Sequence, residues 1–198
     1  ITSENVAEKF GISREAQDAL AVSSHNKAEV AQANGWFKEE IIPVETIQIN
    51  KDGDEVEVTI SEDDGIRKGM KVEALAKLKP AFAEDGCTTA GNSSQTSDGA
   101  AAVLVARRSA AVAAGLPIIG KFKSFAAVGC PPDIMGIGPA VAIPAALKKA
   151  GMTIADIDIF EVNEAFASQA VYCVDELKIP REKVNPKGGA IALGHPLG

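Results

Sequence analysis

Histidine, cysteine and positive charge are what this chain of 198 residues has little of. It carries two histidines, His25 and His195, and three cysteines, Cys87, Cys130 and Cys173. The cysteines are odd in number and far apart. They form no Cys-x-x-Cys and no metal-ligand spacing with either histidine, so no metal site is expected. Free buried thiols in a reducing compartment are the expectation. Acids outnumber bases by 27 to 20, a net charge of −7. That balance argues against a nucleic-acid scaffold, whose affinity would rest on neutralising phosphates. It leaves room for a local basic patch that meets a phosphorylated small molecule. No apolar run approaches the roughly 20 residues of a membrane span. No signal or transit peptide is visible, and no internal repeat recurs at a fixed period of roughly 20–50 residues. The acidic run Glu62, Asp63, Asp64 lacks EF-hand spacing and reads as a solvated loop.

What is present points to ordinary globular packing. Apolar residues make up 46% of the chain and charged residues 24%, enough for one sizeable domain or two small ones. Residues 1–10 read as a short helix with Thr2 or Ser3 available as its cap and Gly11 as its stop. Ser13 caps a stronger helix that Asn34-Gly35 ends. His25 lies on it among polar residues and reads as a solvated surface histidine. Residues 41–49 and 55–60 alternate around Lys51-Asp52-Gly53-Asp54, which predicts a hairpin. A short helix over 70–78 stops at Pro80. Residues 100–105 form an apolar run short enough for a buried strand. Residues 107–115 form an Ala-rich helix, and Leu116-Pro117 is the best boundary, followed by a fresh apolar run over 118–128. Gly138-Pro139 opens a helix that closes at Gly151, with Pro144 able to kink it. Residues 156–162 alternate as a half-buried strand, and a helix over 164–177 follows.

Two stretches carry candidate chemistry. The tail, GGAIALGHPLG, sets His195 on a Gly/Pro turn. An imidazole there is either a general base or a turn histidine bonded to backbone. Asn163 opens NEAF directly after the alternating run. It is either a helix N-cap or a site residue, because strand ends are where α/β folds put functional side chains. The run Thr88-Thr89-Ala90-Gly91-Asn92-Ser93-Ser94 suits close backbone approach to a ligand amide, or equally a loop with a helix cap. Arg67-Lys68 reads as two exposed bases and Phe82 as core.

NEAFA, GGAIALGHPLG, TAGNSSQTSDGAA and MGIGPAVAIPAAL, in this order and spacing, resemble the thiolases, most closely the peroxisomal 3-ketoacyl-CoA type. The resemblance runs over the whole chain. It implies an α/β fold, a layered αβαβα core present in part, with an inserted α+β loop or lid domain. Residues 1–90 would then be the CoA-binding lid, 91–116 the end of the N-terminal core half, and 117–198 the first part of the C-terminal half. Thiolases place the acylated cysteine before the stretch where this chain begins. They place a second in a Cys-x-Gly motif past its end. The chain is thus expected to be an internal fragment, inactive alone.

The resemblance also implies roles. His195 matches the base, and its N–H can help hold a thioester oxygen. Asn163 matches an asparagine that fixes a water in an oxyanion hole. Arg67 would lie against the adenine-ribose end of CoA, where a guanidinium plane can stack and pair with phosphate. Phe82 and Phe166 would pack along the pantetheine. Ser94 would meet a pantetheine amide, and Ala90 would line the same tunnel. Glu164 reads as a structural acid in the first turn of the following helix. The implied reaction is thiolytic cleavage of a 3-ketoacyl-CoA by CoA, with CoA as substrate and no cofactor. The implied partners are CoA, 3-ketoacyl-CoA and a second copy in a homodimer, in the peroxisome. An acetoacetyl-CoA thiolase shares these motifs. A CoA- or acyl-CoA-binding relative without catalysis would keep Arg67, Phe82 and Ser94 but has less reason to keep both Asn163 and His195.

Overall fold

The computed structural model describes residues 1–197. Its frame is helical. α1 (Thr2–Phe10) ends at Gly11, which takes φ +67° as a left-handed cap. No side chain caps its start. Ser3, a candidate cap, is buried instead and shares its hydroxyl with Thr88 and Ser168, 2.7 Å from each. A hydroxyl so placed gains two partners in the interior, which a surface cap does not offer. α2 (Arg14–Ala33) is capped as its sequence predicts, Ser13 Oγ accepting from Ala16 N–H at 3.2 Å. Its inner face is small: Ala21, Ala28 and Ala31 are fully buried, so neighbouring backbone can lie close to it.

β1 (Val44–Ile49) and β2 (Glu55–Ile60) pair antiparallel, with Val44 opposite Ile60. This is the predicted hairpin, and it stands clear of the core, exposed along almost its whole length. α3 (Val72–Leu75) is shorter than the spacing suggests and buries Leu75. α4 (Arg108–Ala113), α5 (Gly138–Ala150), α6 (Ala167–Glu176) and α7 (Ala190–Leu193) complete the set. α5 runs through Pro144 and closes at Gly151, φ +69°. α1 packs on α6 and on the 3-10 turn Pro132–Ile137, while α2 packs on α6, α7 and α3.

Several expectations change. Residues 100–105 form no strand and lie exposed, Val103 at 85%. A buried strand needs a neighbour's N–H and C=O groups, and among the described residues nothing pairs with this run; the one sheet is the hairpin. Residues 118–128 are likewise irregular, with Ile119 and Phe122 exposed. The alternation over 156–162 survives as burial rather than as a strand. Phe160 and Val162 are buried on either side of exposed Glu161, and a single parallel bridge joins Phe160 to Val184. These residues, with Val174 and Ile179, make the largest apolar cluster. The helix predicted from 164 starts only at Ala167.

Candidate active site

His25 is the first surprise near the site. It is buried, because the loop through Gly65 and Ile66 folds over α2. Its Nδ1 accepts the Arg67 backbone N–H at 3.1 Å. Burial pushes its pKa down, and the Arg67 charge pushes the same way. Arg67 is held by its main chain while its side chain stays exposed.

The turn over residues 88–94 is tied from within. Asn92 Oδ1 accepts Thr89 N–H at 2.7 Å, and Ser93 Oγ donates to Thr89 C=O at 2.7 Å. Asn92 is fully buried and donates to Asp18 on α2 at 2.9 Å, while its C=O takes the Ala167 N–H that starts α6. The turn thus joins α2 to α6. Ala90 sits exposed at its tip. Ser93 and Phe166 form a bridge, and Ser94 N–H donates to Ala165 C=O at 3.0 Å. This run is therefore stitched to NEAF.

NEAF itself is a turn before α6. Asn163 is not an N-cap: Phe166 holds that position, and the Asn163 side chain is exposed without a protein partner among the described residues. Glu164 lies ahead of the helix rather than in its first turn. It is buried and accepts from Ser24 Oγ at 2.6 Å, Asn185 Nδ2 at 2.8 Å and Ile191 N–H at 3.3 Å. Its backbone setting, two residues beyond Val162, is fixed by Asn185, whose amide pairs with both Val162 N–H and C=O. Phe82 is half exposed rather than core, its ring edge-on to Phe166 with centroids 6.4 Å apart.

The tail closes on these pieces. Gly188 takes φ +87°, and a Cβ there would meet Ala28 Cβ at 2.7 Å, so only glycine lets the tail lie on α2. After α7, Gly194 takes φ +114° with the Ser97 side chain against it. His195 is then gripped twice. Its N–H donates to Gln95 C=O at 2.8 Å, and its Nδ1 lies 3.0 Å from Ser94 Oγ. Gln95 also donates through Nε2 to Gly65 C=O at 2.9 Å and lies 3.2 Å from Ile191 C=O. Sequence reading missed Gln95 and Asn185, and took Asn92 only as one member of the 88–94 run. Their signal is long-range pairing, which no local pattern carries.

The structure therefore brings together His195, Ser94, Phe166 and Phe82. Asn163 is two residues from the carbonyl that holds Ser94, and Arg67 two residues from the carbonyl that holds Gln95. Of the cysteines, Cys173 is buried, and burial pushes its thiol up to about 11. Cys87 and Cys130 are only half-buried; Cys87 donates to Glu4 at 3.1 Å and Cys130 faces Met135 C=O. None touches His195. Among the described residues no group of His, Cys, Asp and Glu could hold a metal ion, and no helix is long and apolar enough to cross a membrane. The cluster can offer an imidazole, a serine hydroxyl and two rings as an apolar wall, with Asn163 exposed on the adjoining NEAF turn.

Comparison with known proteins agrees over the whole chain. The family pattern described as "Thiolase, N-terminal domain" matches residues 1–109, and "Thiolase, C-terminal domain" matches residues 116–198. The chain is 66% identical over 198 residues to mouse (Mus musculus) peroxisomal 3-ketoacyl-CoA thiolase B, covering all of this chain and 47% of that protein. It is 64% identical to the human (Homo sapiens) peroxisomal 3-ketoacyl-CoA thiolase, again over the full chain and 47% of the relative. The crystal structure of the dimeric peroxisomal thiolase of Saccharomyces cerevisiae superposes with a TM-score of 0.92 at 52% identity, covering 100% of this chain and 49% of that one. The chain thus spans about half the length of the relatives it matches. With both halves of the family pattern matched in order and the fold shared, this chain belongs to the thiolase family.

Proposed function

We propose that the protein this chain belongs to is a degradative 3-ketoacyl-CoA thiolase of the peroxisome, acting as a dimer. The observation that carries the reading is the convergence on one spot of Ser94, the NEAF turn 71 residues on and His195 101 residues on. His195 is the base and Asn163 the water-holding amide. Arg67, Phe82, Ala90, Ser94 and Phe166 line the path of CoA. His195 takes the proton of a cysteine thiol supplied outside these residues, the thiolate attacks the 3-keto carbon, the bond between carbons 2 and 3 breaks, and the enolate takes a proton from a second cysteine, also outside these residues, to leave as acetyl-CoA. The second cysteine, now a thiolate, takes the proton of the CoA thiol, which attacks the acyl-cysteine; the first cysteine leaves and regains its proton from His195, and the shortened acyl-CoA is released.

The test is made on the protein at its full natural length, supplied with 3-ketoacyl-CoA and CoA, following acetyl-CoA and the shortened acyl-CoA by chromatography. Turnover is expected, and His195→Ala is expected to cut kcat/KM by about 10³. The 198-residue chain by itself, with no cysteine beside His195, is expected to give none. Binding of CoA with no turnover by the full-length protein would instead favour a non-catalytic acyl-CoA-binding relative. Activity confined to acetoacetyl-CoA would favour the acetoacetyl-CoA thiolase reading.

A further inference from the structure

We infer that Ser94 is a positioning residue that fixes the tautomer of His195, so that the hydrogen sits on Nδ1 and the basic lone pair on Nε2. The inference rests on the proposed role of His195 as the base. Ser94 Oγ lies 3.0 Å from Ala165 C=O and 3.0 Å from His195 Nδ1. A hydroxyl has one proton and two lone pairs. A carbonyl oxygen never donates. Both contacts can be hydrogen bonds only if the serine proton goes to Ala165 and His195 Nδ1–H donates into a serine lone pair. With the hydrogen on Nε2 instead, two acceptors would compete for one serine proton, and one contact would set lone pair against lone pair at 3.0 Å.

Ser94 is held independently of the histidine. Its own N–H donates to the same Ala165 carbonyl at 3.0 Å, so main chain and side chain grip one acceptor. The next residue, Gln95, takes the His195 main-chain N–H at 2.8 Å. Adjacent residues thus fix the ring and the backbone of His195 together. Nε2 is left as the nitrogen that can accept the thiol proton. Once protonated there, it becomes a donor while Nδ1–H stays bonded to Ser94. Ser94 keeps one lone pair free, which can accept a substrate amide N–H but cannot donate to an amide carbonyl.

His25 is an internal control. Its Nδ1 accepts a backbone N–H from Arg67, so its hydrogen must sit on Nε2. The two histidines are therefore expected to be opposite tautomers. Neutron diffraction from crystals of the full-length protein, grown above the ordinary imidazole titration range, reads this directly. Deuterium is expected on Nδ1 of His195 and on Nε2 of His25. In Ser94→Ala, the His195 deuterium is expected to move to Nε2 or to divide between the nitrogens, while His25 is unchanged. Ser94→Thr keeps the hydroxyl and is expected to restore Nδ1. In kinetics, Ser94→Ala is expected to lower kcat about tenfold or more, with Ser94→Thr rescuing most of it. Deuterium on Nε2 of His195 in the native protein, or an unchanged His195 in Ser94→Ala, would overturn the inference. If the tautomer is as stated but the protein performs no thiolysis, the proposed function fails and the role of Ser94 stands.

Discussion

Glu164 shows how much one side chain can organise. A buried carboxylate away from a cation is costly unless its oxygens are satisfied. Here a hydroxyl, an amide and a backbone N–H fill them, drawn from α2, the segment before the tail, and α7. The same acid stands between exposed Asn163 and the carbonyl of Ala165, so the bonds that bury it also fix the candidate amide beside it. His25 makes a second residue-scale case, with a sign. Burial and the Arg67 charge lower its pKa, while the unfolded chain titrates near the ordinary value of about 6.5. Below that value the unfolded state binds more protons than the folded state, so stability falls as pH drops from about 6.5 toward the folded value and is flat above. Protonation of Nδ1 would also cost the bond from Arg67 N–H. Urea midpoints measured from pH 7.5 down to about 5.5 are expected to fall in the native protein, with a shallower slope in His25→Gln. Equal slopes would assign the pH dependence to other groups. In the sequence His25 reads as a surface residue, because its neighbours on α2 are polar and the loop that covers it lies some forty residues on. Ser13 is legible for the opposite reason: its partner, Ala16, is three residues away.

At the scale of elements, the same division holds. Helix stops at Gly11 and Gly151, the cap at Ser13 and the hairpin all rest on chemistry within a few residues, and all are readable from the sequence. The runs at 100–105 and 118–128 have the composition of strands, but strand formation depends on a neighbour, which sequence alone does not supply. The candidate site falls between these cases. His195 and the Ser94 run stand out as motifs, but Gln95 and Asn185, which hold them, look like ordinary polar residues. The packing of the tail on α2 leaves little room at Gly188. Gly188→Ala would place its Cβ 2.7 Å from both Ala28 Cβ and Ser24 C=O at a positive φ. The left-handed conformation costs about 1–2 kcal/mol and the overpacking about 1–3 kcal/mol. A destabilisation of about 3 kcal/mol is expected by urea unfolding. A loss under about 1 kcal/mol would mean that α2 yields and the tail is not seated as described.

At the scale of the whole molecule, the chain leaves a large apolar surface in water. Val103, Leu104 and Val105 are each about 80% exposed, and Ile119, Phe122 and Phe125 are 101%, 77% and 69% exposed. Patches of this kind mark surfaces that something covers. The isolated chain is expected to bind a hydrophobic dye strongly and to self-associate as concentration rises. Replacing Val103 and Phe122 with serine is expected to reduce both effects without changing helical content. Dye binding equal to that of an ordinary compact protein would show these runs to be covered in solution. A last consequence follows from the Gln95 side chain, which joins Gly65 to the carbonyls of Ile191 and Ala192 while its own carbonyl holds His195. Each of those links closes a loop of 30 to 100 residues, and closure entropy must be met before any of them gives a return. The histidine turn is therefore expected to assemble late, after α2, α6 and the loop through Gly65 have met. A half-folded chain would then have helices but no seated His195, and the imidazole would take its place only when the structure around it is already closed.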